Sequence, residues 1–423
     1  MIRSLRHFTV FLHFTAVQSS KMAAPCVRVI IGLPNHGRAV TSVTTRRHAS
    51  QDFPKRPPIG GIATRPETLK RGTGGRSSFN GVVATVFGGS GFLGSFIANE
   101  LGKIGTQLIL PYRAERYSIE RLKVCGDLGQ VLFQRFDLRD EISLAKAMKY
   151  SNVVINLIGK DIETRNFSFN EVHVKGAQRI ARLARESGVQ KLIHFSALNV
   201  AENPKPIIKP SGSKFFASKW LGEQVVREEF PEAIIFRPSD MYEHTDRFLT
   251  YYANAMRRNW NWIPLWKRGK GIYKQPVFVG DVAVGVVNAI FEEKNAGATY
   301  QAVGPRRYEL AQLVDYMFRI MRREPKDGYL RYDMRLDPLF LARVQVNQMY
   351  SKYPLLSWER LEREHTTDEV LYELPTLEKL LSVPLTLAED RFPYELKYWR
   401  DQAYYDPDIA QFERVRPPPV AAD

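Results

Sequence analysis

The run VVATVFGGSGFLGSFIANEL, Val82 to Leu101, sets four glycines where an apolar strand passes into an amphipathic helix. That junction suits the pyrophosphate of a dinucleotide. Gly88 and Gly89 permit a tight turn, Gly91 lets backbone amides approach a phosphate, and Gly94 lets the helix pack closely on the strand. Ser90, Phe92 and Leu93 complete the turn, and the helix N-terminus adds partial positive charge. A glycine turn serving packing alone is the alternative, but strand, glycines and helix in this order favour a nucleotide.

A second group lies nineteen residues beyond Gly94, in LILPYRAER. An NAD site ends its second strand in Asp or Glu, which accepts from the ribose 2′-hydroxyl. Here Arg113 stands in that neighbourhood with Arg116 close by, and cations there suit a 2′-phosphate, hence NADPH. The alternative is that both are surface arginines and Glu115 reads the ribose. A third group is KFFASKWLGE, where Lys219 and Glu223 share one helical face and Phe215, one turn earlier, brings no proton. Metal chemistry has no support: the two cysteines are Cys26 and Cys125, and the eight histidines lack HxxxH or HExxH spacing.

Positioning these groups requires alternating strands and helices. Apolar runs mark strands at Val82 to Phe87, Gln107 to Pro111, Val131 to Phe136, Val153 to Ile158, Lys191 to Phe195 and Ala233 to Phe236. Between them, helical patterns cover Phe92 to Lys103, Ile119 to Cys125, Glu141 to Tyr150, Phe169 to Ser187 and Lys214 to Glu229. Six strands with intervening helices predict an α/β fold, a doubly wound Rossmann-type parallel sheet, followed by a smaller and mostly helical C-terminal region. KQPVFVGD and TYQAVG read as strand-like leads into helices at Val282 to Glu292 and Glu309 to Arg322, and the terminal VRPPPVAAD reads as mobile.

The expected organisation is a leader over residues 1–51, an irregular basic arm over 52–78, the nucleotide-binding unit over 79–242 and the C-terminal region over 243–423. The 423 residues carry 61 Lys and Arg against 45 Asp and Glu, a net charge of +16. Seven of those cations and no acid fall between Met1 and Gln51. An Arg-rich, acid-free leader predicts a mitochondrial transit peptide, with a secretory signal as the rival. Met22 offers an alternative start. Without the leader the balance is about +9, which favours acidic partners or anionic lipid. Nothing in the sequence supplies a nucleic-acid-binding motif, so no nucleic-acid partner is expected.

GGSGFLG, FDLRD, NLIGKD, HFSALNV and KFFASKWLGE, in that order, resemble an extended or atypical short-chain dehydrogenase/reductase over about Val82 to Asp281. The resemblance implies that Asp137 and Leu138 lie against the adenine and that Asn156, Leu157, Ile158 and Gly159 line the cofactor. It implies the catalytic serine's place for Ser196, a ribose contact for Lys219, and a position near the nicotinamide amide for Pro238 and Ser239. The family's tyrosine stands four residues before its lysine, where this chain has Phe215, and no tyrosine here has a lysine four residues later. Loss of a positioned general acid typically forfeits about 10²- to 10⁴-fold in rate. No catalytic residue is therefore expected.

VINLIGKDIETRNFSFNEVHVKGAQRIARLARESGV, FPEAIIFRPSDMYEHTDRFL and KQPVFVGDVAVGVVNAI narrow the resemblance. From about Gly75 to the low 400s the chain resembles the NADPH-binding accessory subunits of mitochondrial NADH:ubiquinone oxidoreductase, respiratory complex I. This implies NADPH held without turnover, other complex I subunits as partners, a matrix-side position on the inner membrane, and a role in assembly and stability. RRNWNWIPLWKRGK, Arg257 to Lys270, would contact partner subunits or anionic lipid, or else serve as ordinary core. The alternative function is a soluble mitochondrial NADP-dependent reductase or epimerase that uses Ser196 or a water held by Lys219 as its acid.

Overall fold

A computed structural model describes residues 69–113, 115–259, 261–323, 325–401 and 415–421. The expected leader over 1–51 and most of the arm, 52–68, lie outside the described residues. The arm's remainder runs through bends and turns: Arg71 pairs with Phe79, and the Arg76 guanidinium donates to the Val124 carbonyl at 3.1 Å.

Five of the apolar runs form strands with both faces covered, which is why they read as near-continuous hydrophobic stretches. These are β1 (Val83–Phe87), β2 (Gln107–Tyr112), β4 (Val153–Asn156), β5 (Lys191–Phe195) and β6 (Ile234–Pro238). The sixth, β3 (Val131–Arg135), is only partly covered because it forms an edge of the sheet. The sheet has seven strands rather than six, in the order β7-β6-β5-β4-β1-β2-β3, with all pairs parallel. The added strand is β7 (Thr299–Ala302), which pairs with β6 and stacks Tyr300 on Phe236 at 5.3 Å. The sheet therefore does not close at Tyr242.

Helices α1 (Phe92–Lys103), α2 (Glu141–Met148), α3 (Gly176–Glu186) and α4 (Lys214–Glu229) connect the strands, and α5 (Val279–Phe291) precedes β7. The segment expected to be helical from Ile119 is instead a short α turn, Arg116–Ile119, followed by a 3-10 stretch, Glu120–Cys125. α3 is entered through a π-helical segment, Asn170–Lys175. One core packs α1 and α5 together on one face of β1 through Ile97, Leu101, Val282 and Val286, and another packs α2 and α3 on the opposite face.

The C-terminal region builds its own core from Tyr252, Leu265, Val314, Met317, Phe392 and neighbours. Helices α6 (Leu310–Ile320), α7 (Pro338–Tyr350) and α8 (Trp358–His365) belong to it. Much of the Trp-rich segment is core: strand Trp262–Leu265 pairs with Leu330–Asp333, and Ile263 and Leu265 are buried. The end of the chain is tied down rather than free, because Val415 packs on this core and the Ala421 amide donates to the Arg307 carbonyl at 2.8 Å. Among the described residues no helix is long and apolar enough to cross a membrane.

Candidate nucleotide site and adjoining cavity

The strand order reverses between β1 and β4, which opens a crevice beyond their C-terminal ends. At Gly88 the backbone turns with φ of +84°, a region that favours glycine. A Cβ on Gly94 would lie 2.4 Å from the Gly88 carbonyl oxygen and 2.7 Å from Gly89 Cα, so only glycine lets α1 seat on the turn. Gly91 caps α1 with extended backbone, offers no side-chain acceptor, and precedes a first turn without acidic residues. The first amides of the helix are thus left for an outside acceptor, next to the exposed Ser90 and Gly91. Gly89 packs on Leu110, Leu93 is buried beneath the turn, and Phe92 reaches the wall of the adjoining cavity.

Across the crevice, the Leu157 amide donates to the Phe87 carbonyl at 3.0 Å. Asn156 accepts from the Ile158 amide at 3.1 Å, and its Nδ2 lies 3.1 Å from His194 Nδ1. Burial, with Lys219 adding to it, pushes His194 down to about 3, so the ring is neutral. Lys219 Nζ donates to the Phe195 carbonyl at 2.8 Å and lies 3.3 Å from where a Gly159 Cβ would stand. Burial lowers this amine to about 8, with Glu223 pulling the other way. Glu223 is itself held by Arg237 through two bonds of 3.0 and 2.6 Å.

Ser196 is buried, and its Oγ has no hydrogen-bond partner. Ser239 donates its hydroxyl to the Gln275 carbonyl at 2.6 Å, and with Pro238 it lines the cavity. The bare α1 N-terminus, the Lys219 amine seated against Gly159 and the orphaned Ser196 hydroxyl all fit an extended polar ligand along the strand ends.

Arg113 follows β2, exposed, with its guanidinium 5.3 Å from the centre of the Phe167 ring. Arg139 and Lys160 stand over the same ring at 4.5 and 5.4 Å, a cationic group that sequence reasoning had not assembled. Burial and the neighbouring Arg113 both lower the Lys160 amine, with Asp161 opposing. Asp137 is exposed and accepts from the Arg139 amide at 2.8 Å. The Leu138 side chain is buried in the core beneath α3, so only its backbone remains to meet a base. Arg116 does not join this group; it pairs with Glu120 at 3.4 Å and lines a different depression with Lys123 and Leu128.

Beyond Ser196 and Pro238 opens a cavity of about 290 Å³. Phe215 forms one wall, wedged edge-on against His173 at 5.3 Å. His173 Nε2 accepts from the Lys160 amide at 3.1 Å, and its Nδ1 lies 2.8 Å from Ser218 Oγ, which donates to the Phe215 carbonyl. That chain of bonds places the proton on Nδ1, and burial pushes the ring down to about 2. The opposite wall comes from α8, whose Arg363 guanidinium sits 4.4 Å over the Phe215 ring. Sequence reasoning missed this helix. The signal available in WERLEREH was the repetition of Glu359 and Glu362 against Arg360 and Arg363 at three-residue spacing.

Residues 84–303 match the model of the NAD dependent epimerase/dehydratase family. Among solved structures, triphenylmethane reductase from Citrobacter sp. superposes with a TM-score of 0.56 at 15% identity, over 74% of this chain and 99% of that one, a likeness of fold. The Neurospora crassa NADH-ubiquinone oxidoreductase 40 kDa subunit, mitochondrial, is 35% identical over 354 residues, 84% of this chain and 89% of that protein. The Mus musculus NADH dehydrogenase (ubiquinone) 1 alpha subcomplex subunit 9, mitochondrial, is 40% identical over 371 residues, 86% of this chain and 91% of the mouse protein. The chain belongs to the alpha subcomplex subunit 9 family. In this member of the subunit 9 family, helix α4 carries Phe215 four residues before Lys219.

Proposed function

We propose that this chain is an accessory subunit of mitochondrial complex I that binds NADPH without turning it over and uses the bound nucleotide to hold its fold for assembly. The observation that carries the reading is the pairing of an open glycine turn with Phe215 in the cavity wall. The first binds a pyrophosphate, and the second has no proton to exchange with a substrate. When bound, the nucleotide would supply hydride chemistry. The chain's own groups bind and orient: first-turn amides of α1 take the pyrophosphate, and Asn156, Leu157, Ile158 and Gly159 line the crevice. Asp137 and the Leu138 backbone meet the adenine, and Lys219 with Ser196 faces the nicotinamide ribose. Pro238 and the Ser239 backbone border the nicotinamide amide.

NADP(H) is favoured over NAD(H) because Arg113 and Lys160 flank Phe167 beside the end of β2, where a 2′-phosphate would sit. The names of the relatives support a mitochondrial location, and the basic balance favours a peripheral position on an anionic, matrix-side membrane surface. Lipid contact would fall to Trp262, Lys267, Arg268 and Lys270, which are exposed, and not to Arg257, which is buried and bonded to Glu364 at 2.7 Å.

The test replaces Gly91 by Trp. Gly91 has an ordinary φ of −74° and an exposed position, so the indole would block the phosphate approach at the cost of a 3.1 Å contact between its Cβ and the Gly88 carbonyl oxygen. Mitochondria expressing the wild type should carry the chain in native complex I, with NADP(H) released on denaturation, and Gly91→Trp should lose both. Full assembly and full nucleotide content in the variant would refute the mechanism. Carbonyl-dependent NADPH oxidation by the purified chain would refute its non-catalytic part.

A further inference from the structure

Three guanidiniums converge on one carboxylate at the cavity's α8 end. Asp161 Oδ1 lies 2.6 Å from Arg247 Nη1, while its Oδ2 lies 3.6 Å from Arg360 Nη1 and 4.0 Å from Arg363 Nη2. Arg360 and Arg363 have side chains only 13% and 19% exposed. Three guanidiniums thus share one adjacent carboxylate, with Glu359 and Asp240 acting on Arg363 from farther off, and desolvated cations are costly unless paired.

The other charged groups facing the cavity are paired first with other partners. Lys274 stands between Asp240 at 3.1 Å and Asp368 at 3.5 Å, and Glu364 is bonded to Arg257 at 2.7 Å.

The arginines themselves register the missing partner. Arg363 Nε is buried without a hydrogen bond, and burial holds its guanidinium below the ordinary range in spite of Asp161. Arg363 stacks on Phe215, and Arg360 stacks on Tyr251 at 4.0 Å. Stacking fixes the guanidinium planes; one N–H of each donates to a backbone carbonyl, Arg360 to that of Arg247 and Arg363 to that of Asp161 at 3.5 Å, and the remaining N–H groups suit the in-plane oxygens of a carboxylate or phosphate. Between the arginines and the orphaned Ser196 hydroxyl the walls are aromatic, with Phe215, Phe248 and Tyr251.

We infer that this cavity binds a small oxyanion, a carboxylate or phosphate monoester on a short apolar stem, with its head between Arg360 and Arg363 and its stem against Phe215 and Tyr251. This goes beyond the reading above: the chamber that would receive a reacting carbonyl in a reductase serves here as a second ligand site, occupied alongside the nucleotide.

The test uses the full chain with excess NADPH, and titrates hexanoate, hexyl phosphate and neutral hexanol at constant ionic strength while following the melting temperature. Hexanoate or hexyl phosphate should give a saturable upward shift, and hexanol none. Arg363→Met should abolish the shift. Arg247→Ala, whose side chain is 72% exposed and tolerates truncation, should weaken apparent affinity about three- to tenfold. If Arg363→Met fails to fold, Arg247→Ala decides alone. Absence of a saturable shift, or an unchanged shift in the variants, overturns the inference, as does a shift that disappears when NADPH is raised, because the anion would then occupy the nucleotide cleft. Nucleotide content measured on the same samples keeps a failure of NADPH binding distinct from a failure of the anion site.

Discussion

Lys219 shows how one side chain links stability to ligand binding. Its ordinary value is 10.5, and burial brings it to about 8 in the fold. Below about pH 8 the amine is charged in both folded and unfolded chains, and the fold bears the full cost of desolvating it. Between 8 and 10.5 the folded amine sheds its proton while the unfolded one keeps it, so this group's contribution to stability rises with pH and levels off above 10.5. The shift corresponds to about 3 kcal/mol at 1.36 kcal/mol per unit, partly offset by the bond to the Phe195 carbonyl. Lys219→Met should therefore leave the nucleotide-free chain equal to or about 1 kcal/mol more stable than wild type at pH 7, and it should weaken NADPH binding. Denaturant unfolding at several pH values checks this: the stability difference between the two proteins should shift in favour of wild type from pH 8 to 10. A difference that does not vary with pH would mean that the amine is not desolvated in the fold.

The elements differ in how much of their role a sequence can carry. Helices α1 and α4 match their expected bounds, because a local signal delimits each: glycines before Phe92, and Ser213 capping the amide of Phe216. The π-helical entry to α3 was not legible, since its purpose is to present His173 to Lys160 and Ser218, which lie elsewhere in the chain. Helix α8 was hidden for the same reason. Its charges look solvated in sequence, yet Glu362 is fully buried and accepts from the amides of Ile207, Ile208 and Lys209 at 2.7 to 2.8 Å. Its neighbour Glu359 accepts from Ser213 and from the Phe215 amide at the start of α4. An eight-residue helix from the C-terminal region thus fixes the loop and helix end that carry Phe215. Glu362→Ala would strand three amides, at about 1–3 kcal/mol for each buried donor left unsatisfied. Partial rescue by water makes a total loss of about 2–4 kcal/mol the expected result. Limited thermolysin digestion should then cut between Ile207 and Ile208 well before the wild type, and amide exchange should quicken at 207–209. Unchanged protection there would mean that the loop is held by other contacts.

On the scale of the whole molecule, the question is whether a nucleotide-binding unit ending near Tyr242 can stand alone. Local periodicity suggested it could, because the regular alternation fades there. Periodicity cannot say which sheet a later strand joins, and β7 returns from residue 299 to pair with β6. Helix α5 returns with it and buries Val279, Val282, Ala283, Val286, Ala289 and Ile290 in the core shared with α1. A fragment over residues 69–242 would lose these six side chains together with Tyr300 and Ala302, and would bare the outer edge of β6. At about 1.5–3 kcal/mol for a fully buried large aliphatic side chain and less for alanine, the loss amounts to roughly 10 kcal/mol. That is comparable to the 5–15 kcal/mol that typically separates a folded domain from its unfolded chain. The fragment should therefore be unfolded or aggregated and hold no NADPH, although it contains every residue proposed to touch the nucleotide. A longer fragment over 69–323 restores α5 and β7 but lacks α8, so it should regain the sheet while leaving loop 207–209 and the start of α4 unanchored. Circular dichroism and nucleotide content of the two fragments separate these cases. A soluble, NADPH-bearing 69–242 fragment would show that the returning helix and strand are dispensable, and that nucleotide binding by itself is enough to hold the sheet.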